Sequence, residues 1–181
     1  MQVVQLLKSY SGGRRDFSGV DFREAWMPGV QLEKAMLRGS NFTGSNLSHS
    51  SLRQADFSGA MLWRTNLSYA QLHGATFEKA NLIRCQLINS NLEGSCFAGA
   101  DLRLTNLREA QLQKADLKNV LLCYADLSGC DLRGVDLTTV DLTGAILLKA
   151  NLSGCQLTSE QLRTLDLSQS VMNDPEVQLA F

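Results

Sequence analysis

The sequence predicts an all-β solenoid, a chain wound from short extended pieces of five residues each. Two observations predict it. Large apolar residues recur at every fifth position: Phe17, Phe22, Met27, Leu32, Leu37, Phe42 and Leu47 open a run that holds to Leu157. It comprises 29 consecutive positions, all Leu or Phe except Met27. Two places before each of them, from Val20 to Cys155, stands only Ala, Ser, Thr, Val or Cys. A period of five fits neither the 3.6-residue repeat of an amphipathic helix nor the alternation of a single strand. Self-similarity at a fixed period is instead the mark of a repeat architecture. In extended chain, residues two apart face the same way, so the small residue and the large one point inward together. The other three positions face out. They read Asp, Asn or Gln, then Ser, Thr or Arg, then often Gly, the residue suited to a turn at positive φ.

Units such as Ala55-Asp56-Phe57-Ser58-Gly59, Ala80-Asn81-Leu82, Ala125-Asp126-Leu127-Ser128-Gly129 and Ala150-Asn151-Leu152-Ser153-Gly154 carry the pattern A(D/N)LxX. In them the sequence resembles the pentapeptide-repeat family, over about four-fifths of its length. It is most similar to the small single-domain members abundant in cyanobacteria. The resemblance implies a right-handed quadrilateral parallel β-helix with four units, or 20 residues, per coil. The phenylalanines support that number. Phe17, Phe57, Phe77 and Phe97 differ by multiples of 20, as do Phe22 and Phe42, so two of four sides carry every Phe in the repeat. About seven coils follow, in a tower roughly 35 Å tall at the spacing of neighbouring strands.

At 181 residues the chain suits one domain, and a solenoid of this kind has a thin continuous column for a core. Seventeen basic and 18 acidic residues give a net charge of −1, which points to neither a polyanion nor a polycation partner. Three of the five cysteines, Cys85, Cys130 and Cys155, take the small inward position. With Cys96 and Cys123 they make an odd number and no CxxC pair, so they read as small filler in a reducing compartment. His49 and His73 fall at outward positions and are not expected to bind metal. The sequence has no long apolar run and no signal-peptide core, and the expected location is the cytoplasm. Arg14-Arg15 lacks the apolar segment of an export signal. The sequons at Asn41, Asn46, Asn66 and Asn151 are by-products of the repeat.

Residues 1–13 precede the repeat. Val3, Leu6, Leu7 and Tyr10 follow the spacing of one helix face, and Ser11-Gly12-Gly13 ends it. This helix is expected to cap the first coil, which would otherwise expose an apolar end and an unpaired edge. Residues 14–157 form the β-helix. Trp26-Met27-Pro28-Gly29 is its least regular unit and is expected to be a bulged or distorted corner, with Pro28 weakening the pairing there. Residues 158–181 form a C-terminal helical cap and tail. Thr158-Ser159-Glu160-Gln161 has the form of a capping box. Asn173-Asp174-Pro175 marks a turn, and the residues up to Phe181 are expected to be a tail or an arm against a partner.

The sequence carries no GxSxG, phosphate-binding loop, dinucleotide fingerprint or HExxH. Asp126, Asp131, Asp136 and Asp141 ring one coil, one per side, and should diverge rather than converge as paired catalytic carboxylates do. A filled β-helix is not expected to hold an active-site cavity, so no enzyme activity and no cofactor are expected. Direct nucleic-acid binding is not expected either, since charges of both signs are mixed. The family offers one alternative: some members mimic duplex DNA and inhibit DNA gyrase. A mimic needs a dense acidic face, whereas residues 101–141 hold seven Asp or Glu against five Lys or Arg.

Sorting outward residues by the 20-residue period separates the sides. The side centred on Leu32, Leu52, Leu72 and their successors is polar. The side centred on Phe22, Phe42, Leu62, Leu82, Leu102, Leu122 and Leu142 presents Met61, Trp63, Ile83, Leu104, Leu121, Cys123 and Tyr124, with Arg64, Arg84 and Arg103 among them. Trp63, Ile83, Arg103 and Cys123 should form one vertical column. An apolar cluster with Trp, Tyr and Arg has the composition of a binding hot spot. The expectation is a non-enzymatic scaffold that contacts an unknown protein, or a second copy in a dimer, through this side.

Overall fold

Backbone hydrogen bonding decides the architecture, and almost every donor of a unit can be accounted for. In the computed structural model, which describes residues 2–172, the first extended residue of nearly every unit pairs in parallel with the residue 20 further on. The steps run Asp16↔Met36, Met36↔Asp56, Asp56↔Thr76 and onward. Four five-residue units therefore close one coil. The central N–H donates upward, as Phe17 N does to Met36 O (2.8 Å) and Leu62 N to Asn81 O (2.7 Å). The corner N–H also donates upward, as Gly39 N does to Ser58 O (2.9 Å). Asn41 N donates downward to Val20 O (2.9 Å), and Ala25 N closes the turn on Phe22 O (3.1 Å).

One N–H per unit is left, on the residue after the central one. The side chain of the Asp or Asn before the central residue accepts it. Ser18 N donates to Asp16 Oδ1 (2.9 Å), Ser48 N to Asn46 Oδ1 (2.9 Å) and Ile83 N to Asn81 Oδ1 (3.1 Å). This local bond is why short polar residues recur there. It also accounts for the sequons, in which Asn accepts from the backbone of a following Ser or Thr.

That accounting removes the expected irregularity at Pro28. Proline sits at a position whose N–H takes no part in the ladder between coils. Met27 N donates to Asn46 O (2.9 Å), Gly29 N to Ser48 O (2.7 Å) and Asn46 N to Ala25 O (2.9 Å), so the corner is regular and the pairing intact.

The irregular corner lies elsewhere. From Gly19 to Gly154 every fifth residue adopts a positive φ of 54° to 72°, Thr139 alone excepted. A β-branched side chain is the poorest fit to the left-handed region. On that side the ladder skips the Asp116–Asp136 step and resumes at Asp136↔Gln156, while Asn119 N turns to Thr139 Oγ1 (3.0 Å). Asn tolerates positive φ, and Asn89 and Asn119 already hold such corners. Thr139→Asn is therefore expected to restore the step and stabilise the chain by about 0.5–1 kcal/mol. A thermal midpoint unchanged or lowered in calorimetry would refute this.

The inward positions are closed to solvent. Phe22 stacks on Phe42 with centroids 5.4 Å apart, Phe57 on Phe77 at 5.2 Å and Phe77 on Phe97 at 4.8 Å. Small polar residues on the inner face bond a carbonyl 23 residues earlier: Thr65 Oγ1 donates to Phe42 O (2.7 Å), Thr105 Oγ1 to Leu82 O (2.9 Å) and Cys130 Sγ to Leu107 O (2.9 Å). Burial pushes the Cys130 thiol up to about 12 and the Cys155 thiol up to about 11.

Two helices flank the coils. The first, α1 (Val3–Ser11), buries Leu6 in the core and packs Val3 and Tyr10 beside it. Tyr10 Oη donates to Glu33 O (2.9 Å) and the Arg15 guanidinium lies 3.9 Å from the Tyr10 ring centroid. Leu7, expected on the same inward face, is exposed. The second, α2 (Ser159–Thr164), starts at a reciprocal capping box, with Gln161 N donating to Thr158 Oγ1 (3.1 Å) and Thr158 N to Gln161 Oε1 (2.8 Å). Gln161 Nε2 also donates to Leu137 O (2.8 Å) and Val140 O (3.0 Å), tying α2 to the coil below. The parallel pairing runs past the expected boundary at 157. Leu167 is buried, Ser170 Oγ donates to Leu147 O (3.0 Å) and Asn151 pairs with Val171. The expected turn at Asn173-Asp174-Pro175 and the tail up to Phe181 lie outside the described residues.

Candidate protein-interaction wall

The ladder fixes where each outward side chain of the Phe22 side stands. Steps Met61↔Asn81, Asn81↔Asp101 and Asp101↔Leu121 place those four residues in one vertical row. The bonds Arg64 N to Ile83 O (3.1 Å), Arg84 N to Arg103 O (3.1 Å) and Leu104 N to Cys123 O (3.0 Å) stack the rows beside it. Trp63, Ile83, Arg103 and Cys123 thus share one row. Arg64, Arg84, Leu104 and Tyr124 share the corner row, where positive φ swings the side chain away from the core.

Two units here give up a local bond. Met61 and Leu121 stand where most units of this side carry the turn-capping Asp or Asn (Asp21, Asn41, Asn81, Asp101 and Asp141), so neither can accept from the following N–H. Their side chains are 47 % and 39 % exposed instead. Leu104 and Tyr124 add exposed apolar surface, Tyr124 at 63 %. Trp63 is exposed as well, with the Arg64 guanidinium 5.2 Å from its ring centroid. Ile83 is half-buried. The Tyr124 ring lies against Gly144, where any Cβ would strike it and where φ is +66°.

The arginines divide. Arg103 is held by Asp101 through Nε (2.9 Å) and Nη2 (2.7 Å), which raises the guanidinium's pKa and lowers the carboxylate's against the opposing effect of burial. Arg64 and Arg84 meet no carboxylate at ion-pair distance among the described residues. The Cys123 thiol is pushed up by burial and by its hydrogen bond with Asp141.

Exposed apolar residues also stand on the Met27 side, which the sequence sorting passed over. Trp26 is 75 % exposed, Ile146 and Leu148 are exposed, and Tyr69 stacks on His49 with centroids 4.8 Å apart. Its units at 25–29, 45–49, 65–69 and 85–89 contain no Asp, Glu, Lys or Arg. The signal was available: Trp26 and Ile146 occupy the capping position, as Met61 and Leu121 do.

Other groups have turn or surface roles. Asp126, Asp131, Asp136 and Asp141 each accept the backbone N–H two residues on, from Ser128 (3.0 Å), Arg133 (3.3 Å), Thr138 (2.9 Å) and Thr143 (3.0 Å). Among the described residues no group of three or more His, Cys, Asp or Glu could hold a metal ion. The interior is filled, but a surface cleft of about 500 Å³ lies between α2 and the coil below, lined by Thr138, Asp141, Thr143, Thr158, Glu160 and Thr164. No helix among the described residues is long and apolar enough to cross a membrane.

A solenoid of five-residue units, four to the coil, is the class of protein these observations define. Residues 16–54, 45–84 and 139–174 match the family described as pentapeptide repeats (8 copies), and residues 70–147 match that described as pentapeptide repeat region. The chain belongs to the pentapeptide-repeat family and has its β-helical fold. Among solved structures it is similar to HetL, a pentapeptide repeat protein involved in heterocyst differentiation regulation from the cyanobacterium Nostoc sp. strain PCC 7120. Identity is 30 % over 87 % of this chain and 91 % of that one, with a TM-score of 0.49. It is also similar to trypsin-treated QnrB1, a plasmid-mediated fluoroquinolone resistance protein. There the identity is 20 %, over 91 % of this chain and 82 % of that one, with a TM-score of 0.60. No curated protein matches.

Proposed function

We propose that this chain is a non-enzymatic, rigid scaffold that docks a protein on its Phe22 wall. The observation that carries the reading is the exchange at Met61 and Leu121. Each unit there forgoes a turn-capping bond and gains only exposed apolar surface, beside Trp63, Leu104 and Tyr124. A side chain that lowers local stability without filling the core has its use outside the fold. The helices α1 (Val3–Ser11) and α2 (Ser159–Thr164) act as covers for the two ends of the tower. Five free cysteines accord with a reducing cytoplasm.

The alternative, a DNA-mimicking modulator of gyrase, needs a continuous negative face. Five carboxylates that could build one are tied to cations instead: Asp21 to Arg23, Asp56 to Arg38, Glu93 to Lys114, Asp101 to Arg103 and Asp131 to Arg133. The likeness to QnrB1 concerns the fold alone.

The test is the double substitution Trp63→Asp with Tyr124→Asp. Both side chains are outward, so circular dichroism and the thermal midpoint should stay near those of the parent. Capture of the partner in a pull-down, or the oligomer mass by light scattering, should fall at least tenfold, as expected when hot-spot aromatics are lost. Capture and mass both unchanged would remove the assignment.

A further inference from the structure

We propose that a second copy of this chain docks antiparallel on the Met27 side, each copy seating Trp26 in a recess beside Ile146 and Leu148 of the other. This surface is separate from the Phe22 wall. Steps Trp26↔Asn46, Asn46↔Asn66, Asn66↔Gln86, Gln86↔Asn106, Asn106↔Asp126 and Asp126↔Ile146 set these residues in one vertical row. Trp26 stands at its lower end, 75 % exposed, and its indole N–H has no acceptor among the described residues. The fold does not need an indole there. Asn46, Asn66, Asn106 and Asp126 cap their turns from this row, but Pro28 has no N–H to be capped.

The matching recess lies at the upper end of the same side. It has a volume of about 300 Å³ and opens between Ile146 and Leu148 on one edge and Asp166, Ser168 and Gln169 on the other. Ile146 and Leu148 give it an apolar surface that is 51 % and 42 % exposed. Ser168 N and Oγ both donate to Asp166 Oδ1 (3.1 and 2.7 Å), which leaves Oδ2 to accept another donor. An indole is apolar except for one N–H donor, so it fits an apolar recess with one open acceptor.

A knob and its recess at opposite ends of one face are self-complementary under a two-fold axis that lies across the face. That rotation turns the second copy end for end, keeps each row opposite itself and makes both contacts at once, roughly 29 Å apart at the spacing of paired strands. Centred on Gln86 and Ile88, the axis sets Trp26 opposite Ile146. A slip of one coil in one direction sets the indole opposite Asp126, and a slip in the other sets Ile88 opposite Arg108.

The wall between the two contacts is compatible with itself in this register. Its lower units carry no charge, so each charged residue of the upper half meets a neutral group: Arg108 meets Ser68, Glu109 the Tyr69 hydroxyl and Asp126 the Asn46 amide. Arg108, Glu109 and Asp126 have no ion-pair partner of their own among the described residues. Asn46 Oδ1 already accepts the Ser48 N–H (2.9 Å), which leaves the amide hydrogens to donate to Asp126.

Sedimentation velocity of the full chain over a concentration series tests this. The parent should form a dimer and nothing larger, because a two-fold contact closes on itself. Trp26→Asp and Leu148→Asp should each weaken association at least tenfold, with circular dichroism unchanged because both side chains face outward. Ile88→Cys tests the register. Residue 88 meets its own counterpart on the axis, so mild oxidation should link two copies well above the parent's yield. Ser48→Cys, roughly 19 Å from its counterpart, should not link. A parent that stays monomeric at every concentration overturns the proposal. So does a Trp26→Asp chain that associates like the parent, or an Ile88→Cys chain that links no better than Ser48→Cys. A dimer dissolved by Trp63→Asp with Tyr124→Asp but not by Trp26→Asp belongs to the Phe22 wall, and it overturns this inference while leaving that wall a docking surface.

Discussion

Replacing Phe77 with Ala is expected to cost about 3–5 kcal/mol, the range for removing a buried aromatic ring and leaving its cavity. Phe77 is fully buried and sits mid-column, with Phe57 at 5.2 Å on one side and Phe97 at 4.8 Å on the other, their planes within 6° of parallel. Both stacking contacts go with the ring. The surroundings cannot collapse to fill the gap, because the coil spacing is held by backbone bonds such as Phe57 N to Thr76 O (2.7 Å) and Phe77 N to Cys96 O (2.6 Å). Each coil contacts only its neighbours, so a weakened middle coil loosens the coupling between the halves. Urea unfolding should become broader, or split, as well as shift. Phe77→Leu is the control. Leu37, Leu117 and Leu137 already hold this side of the column, and the substitution should cost less than half as much. A Phe77→Ala chain within about 1 kcal/mol of the parent would show that the stack contributes little beyond filling space.

The sequence made this column legible because the repeat reports burial directly. Large and small inward residues recur at a spacing that no helix or lone strand can use, and the positions of Phe17, Phe57, Phe77 and Phe97 already implied closure after 20 residues. The coordinates give the same number through Asp16↔Met36 and its successors. What was misread depended on hydrogen-bond bookkeeping that a residue pattern does not display. Pro28 looked disruptive because proline removes a donor, yet the donor it removes belongs to the turn and not to the ladder. Nothing in the residue pattern singles out Thr139, yet the corner row demands positive φ, and a β-branched residue resists it. The ladder's extension beyond Leu157 is hidden by α2, which interrupts the small-residue pattern at Glu160 before Ser170 resumes it. The apolar row from Met61 to Leu121 was legible as composition. The division between Arg103, tied to Asp101, and Arg64 and Arg84, which meet no carboxylate at ion-pair distance among the described residues, is not visible in the sequence beyond the Asp two places before Arg103.

Acid should destabilise the chain steeply, and the capping carboxylates are the reason. Asp136 is held below the ordinary carboxylate range by the Thr138 hydroxyl and then by the Thr138 N–H; Asp141 by the Thr143 hydroxyl, then the Cys123 thiol and the Thr143 N–H. Asp131 is lowered chiefly by Arg133, and Asp166 by the Ser168 hydroxyl and N–H. A group whose pKa is lower in the folded state stabilises the fold at pH above its unfolded value, near 3.9 for Asp, and that contribution is lost as pH falls through the folded value. The midpoint of urea unfolding should therefore be nearly flat from pH 7 to about 5 and fall below about 4. Substituting Asn for Asp separates this from a general effect of positive charge. Asn keeps the carbonyl oxygen that caps the turn, as Asn46 and Asn66 do for Ser48 and Ser68 (2.9 and 3.0 Å), but it does not titrate. Asp136→Asn with Asp141→Asn should stay near the parent's stability at pH 7 and lose part of the acid slope. An acid slope identical to the parent's in that double variant would mean that the caps contribute nothing to the pH dependence, and that repulsion among the 17 Lys and Arg residues drives acid unfolding instead.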